Sequence, residues 1–221
     1  MLAKRLAESR IKKRKNNNIK MDTFLQDLRS RTSDQHSLLE QTTASKNLLC
    51  QQVTVADYAA YLTLLYGFLK GFDNIVFPIL QHSITSIDER RKTHLLVSDL
   101  NMLGIDETNI AVIPDQFFAE CYHSNAAALG GMYVMEGSVL GGALIYKHLQ
   151  ATLGIDAIAG KAKYFTAYGH ETGSRWKSFL QAFCLASSGI EEEVIISASK
   201  TFGILHRWFE NTTFKLIQNE S

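Results

Sequence analysis

Apolar residues recur at the spacing of an α-helix along almost the whole chain from Asp22 onward, and no run alternates in the manner of a β-strand. Only two prolines, Pro78 and Pro114, interrupt the 221 residues. Because proline removes a helical hydrogen bond and clashes with the preceding turn, a chain this poor in proline can form long helices. The pattern predicts an all-α, single-domain helical bundle, with no linker between residues 21 and 221.

Local signals predict where the main helices begin and which faces they bury. The first helix carries one apolar stripe, formed by Leu25, Leu28, Thr32, His36 and Leu39. Thr54 and Asp57, three residues apart, predict a capped start for the second. Further helices are predicted to start near His94, Gln116, Asn125 and Glu191.

Glycine is concentrated at one place, since five of the 14 glycines lie between Gly130 and Gly142 inside a predicted helix. Each costs about 1 kcal/mol relative to alanine, so the five cost roughly 5 kcal/mol against a typical total stability of about 5–15 kcal/mol. Gly137 and Gly141 are four residues apart and share one face, where bare backbone is exposed. That face suits either a close-packed helix or a flat ligand, and the spacing alone leaves both open.

His36 lies on the apolar stripe of the first helix, so its imidazole is predicted to point inward. Glu40 follows one turn later, where its carboxylate can accept a proton from one ring nitrogen and raise the basicity of the other. Such a pair suits an axial iron ligand, but it also suits a core histidine satisfied by a neighbouring acid. The other six histidines show no spacing typical of a metal site.

The net charge of +1 is the sum of two opposite parts. Residues 1–20 hold eight basic residues and one acid, and the remainder carries a net charge of −6. We predict that residues 1–20 form a disordered extension, and we assign them no function. The acidic remainder argues against a nucleic-acid partner.

Cysteine content and hydropathy bear on the compartment. Three cysteines lie far apart, which predicts no disulfide framework and favours the cytoplasm. The longest apolar stretch, around residues 129–145, contains Glu136 and several glycines, so no membrane span is predicted.

Two segments together resemble the heme oxygenase family. Residues 32–40, TSDQHSLLE, have the pattern T-x-x-x-H-x-x-x-E, and residues 133–142, YVMEGSVLGG, contain E-G-S-x-x-G-G about a hundred residues later. The pair in this order is far more specific than either motif alone. The resemblance spans roughly residues 22–215 and is greatest to the bacterial branch found beside bacteriophytochromes. It implies a heme-oxygenase-like helical bundle.

The resemblance also implies roles for the residues of these two helices. His36 would be the proximal ligand of the heme iron, and Glu40 would support it. Gly137 and Gly141 would lie over the distal heme face. Animal-type members carry an aspartate after the first of these glycines, where it organises a proton-delivering water network, whereas this chain has Ser138. A hydroxyl relays a proton but holds no negative charge near neutral pH, and Glu136 is predicted to project elsewhere on the helix.

Other residues match positions that hold the edges of the heme. Arg29, two turns before His36, matches a basic position that pairs with a propionate. Arg175 and Lys177 match a second propionate-binding region, and Phe202 matches an aromatic residue that lines the pocket. Without the resemblance, the three cations would be assigned to ordinary solvated helix faces and Phe202 to the core.

The implied reaction opens heme, both substrate and cofactor, at a meso carbon and gives biliverdin, carbon monoxide and ferrous iron. Because the chain contains no flavin or nicotinamide fingerprint, electrons would come from a separate ferredoxin, flavodoxin or reductase. A bacteriophytochrome is one candidate acceptor of the bilin. Two other interpretations stay open at this point: a non-catalytic heme- or bilin-binding module, and a non-heme protein of the same fold, as in the thiaminase-like proteins.

Overall fold

The structure is a computed structural model that describes the backbone of residues 2–219 and the side chains of residues 19–211. No strand occurs in this part of the chain, so the predicted all-α, single-domain fold is confirmed. The helices are α1 (Leu2–Glu40), α2 (Thr43–Leu49), α3 (Val55–Leu80), α4 (Thr93–Met102), α5 (Asp115–Cys121), α6 (Asn125–Leu153), α7 (Ile155–Ile158), α8 (Thr172–Ala186) and α9 (Glu191–Asn219). A short 3-10 helix, Ile87–Arg90, precedes α4.

Helix α1 extends from Leu2 to Glu40, so its backbone begins well before the apolar stripe that starts at Leu25. Residues 2–40 contain neither proline nor glycine, so nothing in the local sequence terminates the helix. The side chains of residues 1–18 lie outside the described residues. The division of the chain at residue 20 therefore stays a prediction.

Side-chain caps fix the ends of the helices that form the site. At the start of α3, Thr54 Oγ1 accepts a hydrogen bond from the Asp57 backbone N–H at 3.1 Å, and Asp57 Oδ2 accepts from the Thr54 N–H at 2.9 Å. This is the predicted capping box. At the start of α6, Ser124 Oγ accepts a hydrogen bond from the Ala127 N–H at 3.1 Å. The helix ends at Gly154, whose φ of 88° is readily adopted only without a side chain.

Helices α2 and α8 have no counterpart among the predicted elements. α2 has only seven residues, too few for a periodic apolar pattern, and its cap is the Thr42 side chain, which accepts from the Ser45 N–H. α8 buries only Phe179 and Phe183 fully, so its apolar stripe is narrow. Both helices nevertheless contribute walls to the cavity described below.

Helix α6 lies at the centre of the bundle and packs closely against α9. A Cβ atom added at Gly130 would lie 2.5 Å from the Val194 carbonyl oxygen, so the two backbones approach to a distance that only glycine allows. Ser197 Oγ adds a hydrogen bond to the Ala127 carbonyl at 2.7 Å. By length and composition α6 could cross a membrane, but 61% of its most apolar window is buried by the rest of the protein.

Candidate functional site

A cavity of about 730 Å³ lies between α1 and α6, within the range of about 300–1,000 Å³ typical of ligand pockets. Helices α2, α3, α8 and α9 complete its walls. On the α1 side the lining includes Arg29, Thr32, Ser33, His36 and Glu40, and on the α6 side Tyr133, Gly137, Ser138, Leu140 and Gly141. The residues of the two sequence motifs therefore face each other across one space.

The His36 side chain lies on the cavity wall and is 55% exposed. Its Nδ1 atom is 3.6 Å from Glu40 Oε1, slightly beyond hydrogen-bonding distance. The Phe202 ring contacts the imidazole edge to face, with the ring centroids 5.4 Å apart. Because Nδ1 is the ring nitrogen that faces Glu40, Nε2 is the nitrogen available to a ligand.

The glycines of α6 fall into two groups with different surroundings. At Gly130, Gly131 and Gly142 an added Cβ atom would lie 2.5–2.7 Å from neighbouring atoms, so close packing explains their lack of a side chain. At Gly141 it would meet nothing within 4 Å, and at Gly137 only the Trp176 ring at 3.7 Å. These last two glycines border the cavity, so close packing explains the first group of glycines and not the second.

Ser138 also lines the cavity, and its Oγ donates a hydrogen bond to the Met135 carbonyl at 2.8 Å. The buried phenol of Tyr164 lies close to it: burial raises the pKa of Tyr164, and the Ser138 hydroxyl opposes that rise. Burial and the Glu40 carboxylate raise the pKa of Tyr61, another lining residue, to about 12. Near neutral pH both phenols are therefore protonated and able to donate hydrogen bonds.

Glu136 projects away from the cavity, as its position on the helix predicts. Its carboxylate is almost fully buried, accepts hydrogen bonds from Arg90 Nη1 and the Tyr168 hydroxyl, each at 2.9 Å, and pairs with Lys92. Burial lowers the pKa of Lys92, although the charge of Glu136 opposes that shift. A carboxylate held by these partners cannot take the position of an acid beside Ser138.

The three cations assigned by resemblance are not in the same place. Arg29 lines the cavity beside Tyr133. Burial raises the pKa of Tyr133, and the guanidinium of Arg29 opposes that rise. The structure does not bring Arg175 or Lys177 to the cavity wall. Arg175 instead pairs with Glu89 at 3.2 Å and Glu171 at 3.5 Å, and Lys177 is exposed.

Aromatic residues that the sequence analysis did not single out complete the walls. Trp176 lies between Arg175 and Lys177 in the sequence and lines the cavity, which those two cations do not. Its ring contacts that of Tyr133, with the centroids 5.8 Å apart. Tyr61 and Phe209 lie at the opposite side, edge to face at 5.4 Å. These residues come from four different helices, so no local spacing in the sequence could have grouped them.

A family model described as heme oxygenase matches residues 22–211. The chain belongs to the heme oxygenase family. It is therefore an enzyme of heme degradation, and the match covers both helices that carry the sequence motifs. A search of curated protein sequences finds no match.

Solved structures of bacterial heme oxygenases share the fold at low identity. The enzyme from Leptospira interrogans is 14% identical, with a TM-score of 0.71 over 85% of this chain and 98% of that one. Heme oxygenase-1 from the cyanobacterium Synechocystis, solved in complex with heme, is 18% identical, with a TM-score of 0.68 over 89% and 95%. The NO- and CO-bound enzyme from Neisseria meningitidis is 21% identical, with a TM-score of 0.63 over 86% and 91%.

Proposed function

We propose that heme binds in the cavity between α1 and α6, where His36 would ligate its iron and Gly137 and Gly141 would leave room for the porphyrin. One observation carries the proposal: an imidazole and a helix face without side chains lie across the same cavity. A flat macrocycle needs close access to backbone on one side, and a neutral imidazole nitrogen is a common ligand of heme iron. The residues present therefore fit the group.

Bound heme supplies the porphyrin that is opened at a meso carbon and the iron that activates dioxygen, giving biliverdin, carbon monoxide and ferrous iron. On the α1 side, a hydrogen bond from Nδ1 to Glu40 would orient the His36 ring and make Nε2 a stronger ligand. Phe202, edge to face with the imidazole, restricts rotation of the ring. The short movement that brings Glu40 from 3.6 Å into hydrogen-bonding distance would fix the tautomer.

On the α6 side, the residues control space and protons. Gly137 and Gly141 leave room for a small gas molecule beside the porphyrin. Ser138 holds a proton on Oγ, which donates to the Met135 carbonyl, and rotation about χ1 would turn it toward the cavity. The hydroxyl of Tyr164 beside it stays protonated, because burial raises its pKa, and it can donate a hydrogen bond toward Ser138.

In-plane orientation is assigned to Arg29, the predicted cation that lines the cavity. Its guanidinium would pair with one propionate and so influence which meso carbon is attacked. Arg175 is engaged by Glu89 and Glu171, so it would reach a propionate only by breaking those ion pairs. Lys177 lies on the same helix outside the cavity wall, and Arg29 therefore carries this part of the proposal.

The proposed setting is the cytoplasm, supported by three free cysteines. A separate ferredoxin, flavodoxin or reductase would supply electrons, since the sequence contains no fingerprint of a flavin or nicotinamide site. The resemblance to the phytochrome-associated branch supports a bacteriophytochrome as acceptor of the bilin.

Titration with hemin tests the binding site directly. The wild-type protein is expected to give a strong Soret band, and His36→Ala is expected to weaken and shift it, because the axial nitrogen is lost. His123→Ala serves as the matched control, since His123 is exposed and does not line the cavity. A band of equal position and strength in wild type and His36→Ala would contradict the assignment of His36.

Turnover separates the enzyme from a heme- or bilin-binding module. With an electron donor and dioxygen, the hemin-loaded protein is expected to develop bilin absorption and release carbon monoxide. A persistent Soret band with neither product, across several donors, would favour the binding module. In the same assay Ser138→Ala is expected to slow turnover, and an unchanged rate and product would show that the hydroxyl moves no proton.

A further inference from the structure

A buried ionic cluster lies behind the cavity wall, on the face of α6 that points away from Gly137. It consists of Arg90, Lys92, Glu136 and Tyr168, and we call it the Glu136 cluster. Arg90 and Lys92, both about 7% exposed, pair with the Glu136 carboxylate, which is 1% exposed. The Tyr168 hydroxyl donates to Glu136 at 2.9 Å and accepts from Lys92 Nζ at 3.1 Å.

Positive charges outnumber negative charges in this cluster, because two buried cations, Arg90 and Lys92, share one carboxylate. Asp73, also buried, contributes an attractive charge to Lys92 from a neighbouring position and accepts a hydrogen bond from Thr93 at 2.6 Å. Lys92 Nζ additionally donates to the Arg90 carbonyl at 2.9 Å. Removing the charge of Glu136 would leave two adjacent cations in a buried site, where an uncompensated charge is strongly unfavourable.

The cluster connects two walls of the cavity. Glu136 directly precedes Gly137 on α6, and Arg90 Nη2 donates to the Arg175 carbonyl of α8 at 3.4 Å. The Arg90 guanidinium also lies over the Phe179 ring, 5.3 Å from its centroid. Phe179 in turn stacks on Trp176, the residue of α8 that lines the cavity.

We infer that Glu136 is a positioning residue that sets the separation between Gly137 and Trp176, and through it the width of the cavity beside the porphyrin. The two residues approach to 3.7 Å from the Cβ position of Gly137 to the Trp176 ring. Directional hydrogen bonds from three partners fix the carboxylate, and apolar packing alone would hold it less specifically. The inference rests on the proposed function of this cavity in binding heme.

The heme-free protein gives the first readout, the emission of Trp176 in a Trp208→Phe background, because these are the two tryptophans of the chain. Glu136→Gln is expected to shift this emission and lower the melting temperature. Tyr168→Phe removes two hydrogen bonds, one to Glu136 and one from Lys92, but no charge, so a smaller shift in the same direction is expected even if Glu136→Gln does not fold. Glu192→Gln is the control, since its ion pair with Arg31 is exposed and away from the cavity.

The second readout is the rate at which bound hemin transfers to excess apomyoglobin. Glu136→Gln is expected to release hemin about tenfold faster, corresponding to about 1.4 kcal/mol, while Glu192→Gln keeps the wild-type rate. A triple variant, Arg90→Met, Lys92→Met and Glu136→Met, separates positioning from stability. Apolar replacement of a buried charged group is often neutral or stabilising, so its melting temperature is expected to recover while fast release and shifted emission persist.

Two results would overturn the inference. In the first, both Glu136→Gln and Tyr168→Phe have the Trp176 emission and the hemin-release rate of the wild-type protein. In the second, the triple variant has them. The second would show that the cluster contributes stability alone. If the wild-type protein itself gives no Soret band with hemin, the proposed function fails, and Trp176 emission still decides whether Glu136 positions the cavity wall.

Discussion

Replacing Gly141 by alanine should stabilise the heme-free protein and weaken hemin binding at the same time. Gly141 lies inside α6, where alanine is preferred over glycine by about 1 kcal/mol, and the added methyl group would meet no atom within 4 Å. A gain of about 1 kcal/mol raises the melting temperature of a chain of this size by roughly 2–4 °C. Far-UV circular dichroism during heating measures it.

The same methyl group enters the space assigned to the porphyrin. Overfilling a packed site costs about 1–3 kcal/mol, so the dissociation constant for hemin should rise roughly fivefold to 150-fold. Titration followed at the Soret band measures the change. The opposite signs of the two effects are the distinguishing result, since ordinary packing damage would lower both stability and affinity.

Gly142→Ala is the matched control, one residue along the same helix. Its Cβ atom would lie 2.6 Å from the Phe165 carbonyl oxygen, a backbone atom that cannot rotate away. The clash should outweigh the gain in helix propensity and destabilise the protein by up to about 2 kcal/mol. If Gly141→Ala instead lowers the melting temperature, or binds hemin like wild type, the assignment of this helix face to the ligand is refuted.

Three further predictions concern other parts of the chain. Arg29→Met should weaken hemin binding about fivefold, as for an exposed ion pair worth about 1 kcal/mol, and the loss should be smaller at high salt. Arg31→Met, on the same helix but outside the cavity, should leave hemin binding unchanged. Equal losses in both variants would argue against a propionate contact. Asp57→Asn should lower the unfolding free energy by about 0.5–2 kcal/mol above pH 5, measured by urea denaturation. Hydrogen bonds from Thr54 lower the pKa of Asp57. The difference in unfolding free energy between wild type and variant should therefore be largest above the ordinary carboxyl pKa of about 4 and vanish as the pH falls through the lowered pKa of Asp57. A difference that grows in acid would contradict the capping role. Tyr168→Phe should lower the melting temperature less than Glu136→Gln, because it removes no charge, and equal losses would show that the charge of Glu136 contributes little.

Local signals were sufficient to locate α1 and α6, the two helices that carry the sequence motifs. The capping box at Thr54 is a short-range feature, and the structure has it where the sequence predicts it. The apolar stripe of α1 buries Leu25, Leu28 and Thr32, as its spacing predicts. Such features depend on contacts within one or two turns, which a sequence shows directly.

Contacts between distant segments could not be predicted in the same way. The charged segment that contains Arg90 and Lys92 has the composition of a solvated loop. Both side chains are nevertheless buried, because they pair with Glu136, which lies more than forty positions later in the chain. Arg175 matches a propionate-binding position by resemblance, but its pairing with Glu89 depends on how α8 packs. The glycines of α6 likewise fall into two groups only when their neighbours are known.

At Gly130, Gly131 and Gly142 an added Cβ atom would lie 2.5–2.7 Å from neighbouring backbone or ring atoms, whereas at Gly141 it would meet nothing within 4 Å. The same helix therefore combines positions with almost no mutational tolerance and positions where substitution leaves folding intact. A library randomised at Ser138, Leu140 and Gly141 would vary the ligand-facing surface with little loss of folded protein. The chain could thus be redirected toward other flat macrocycles without first being stabilised.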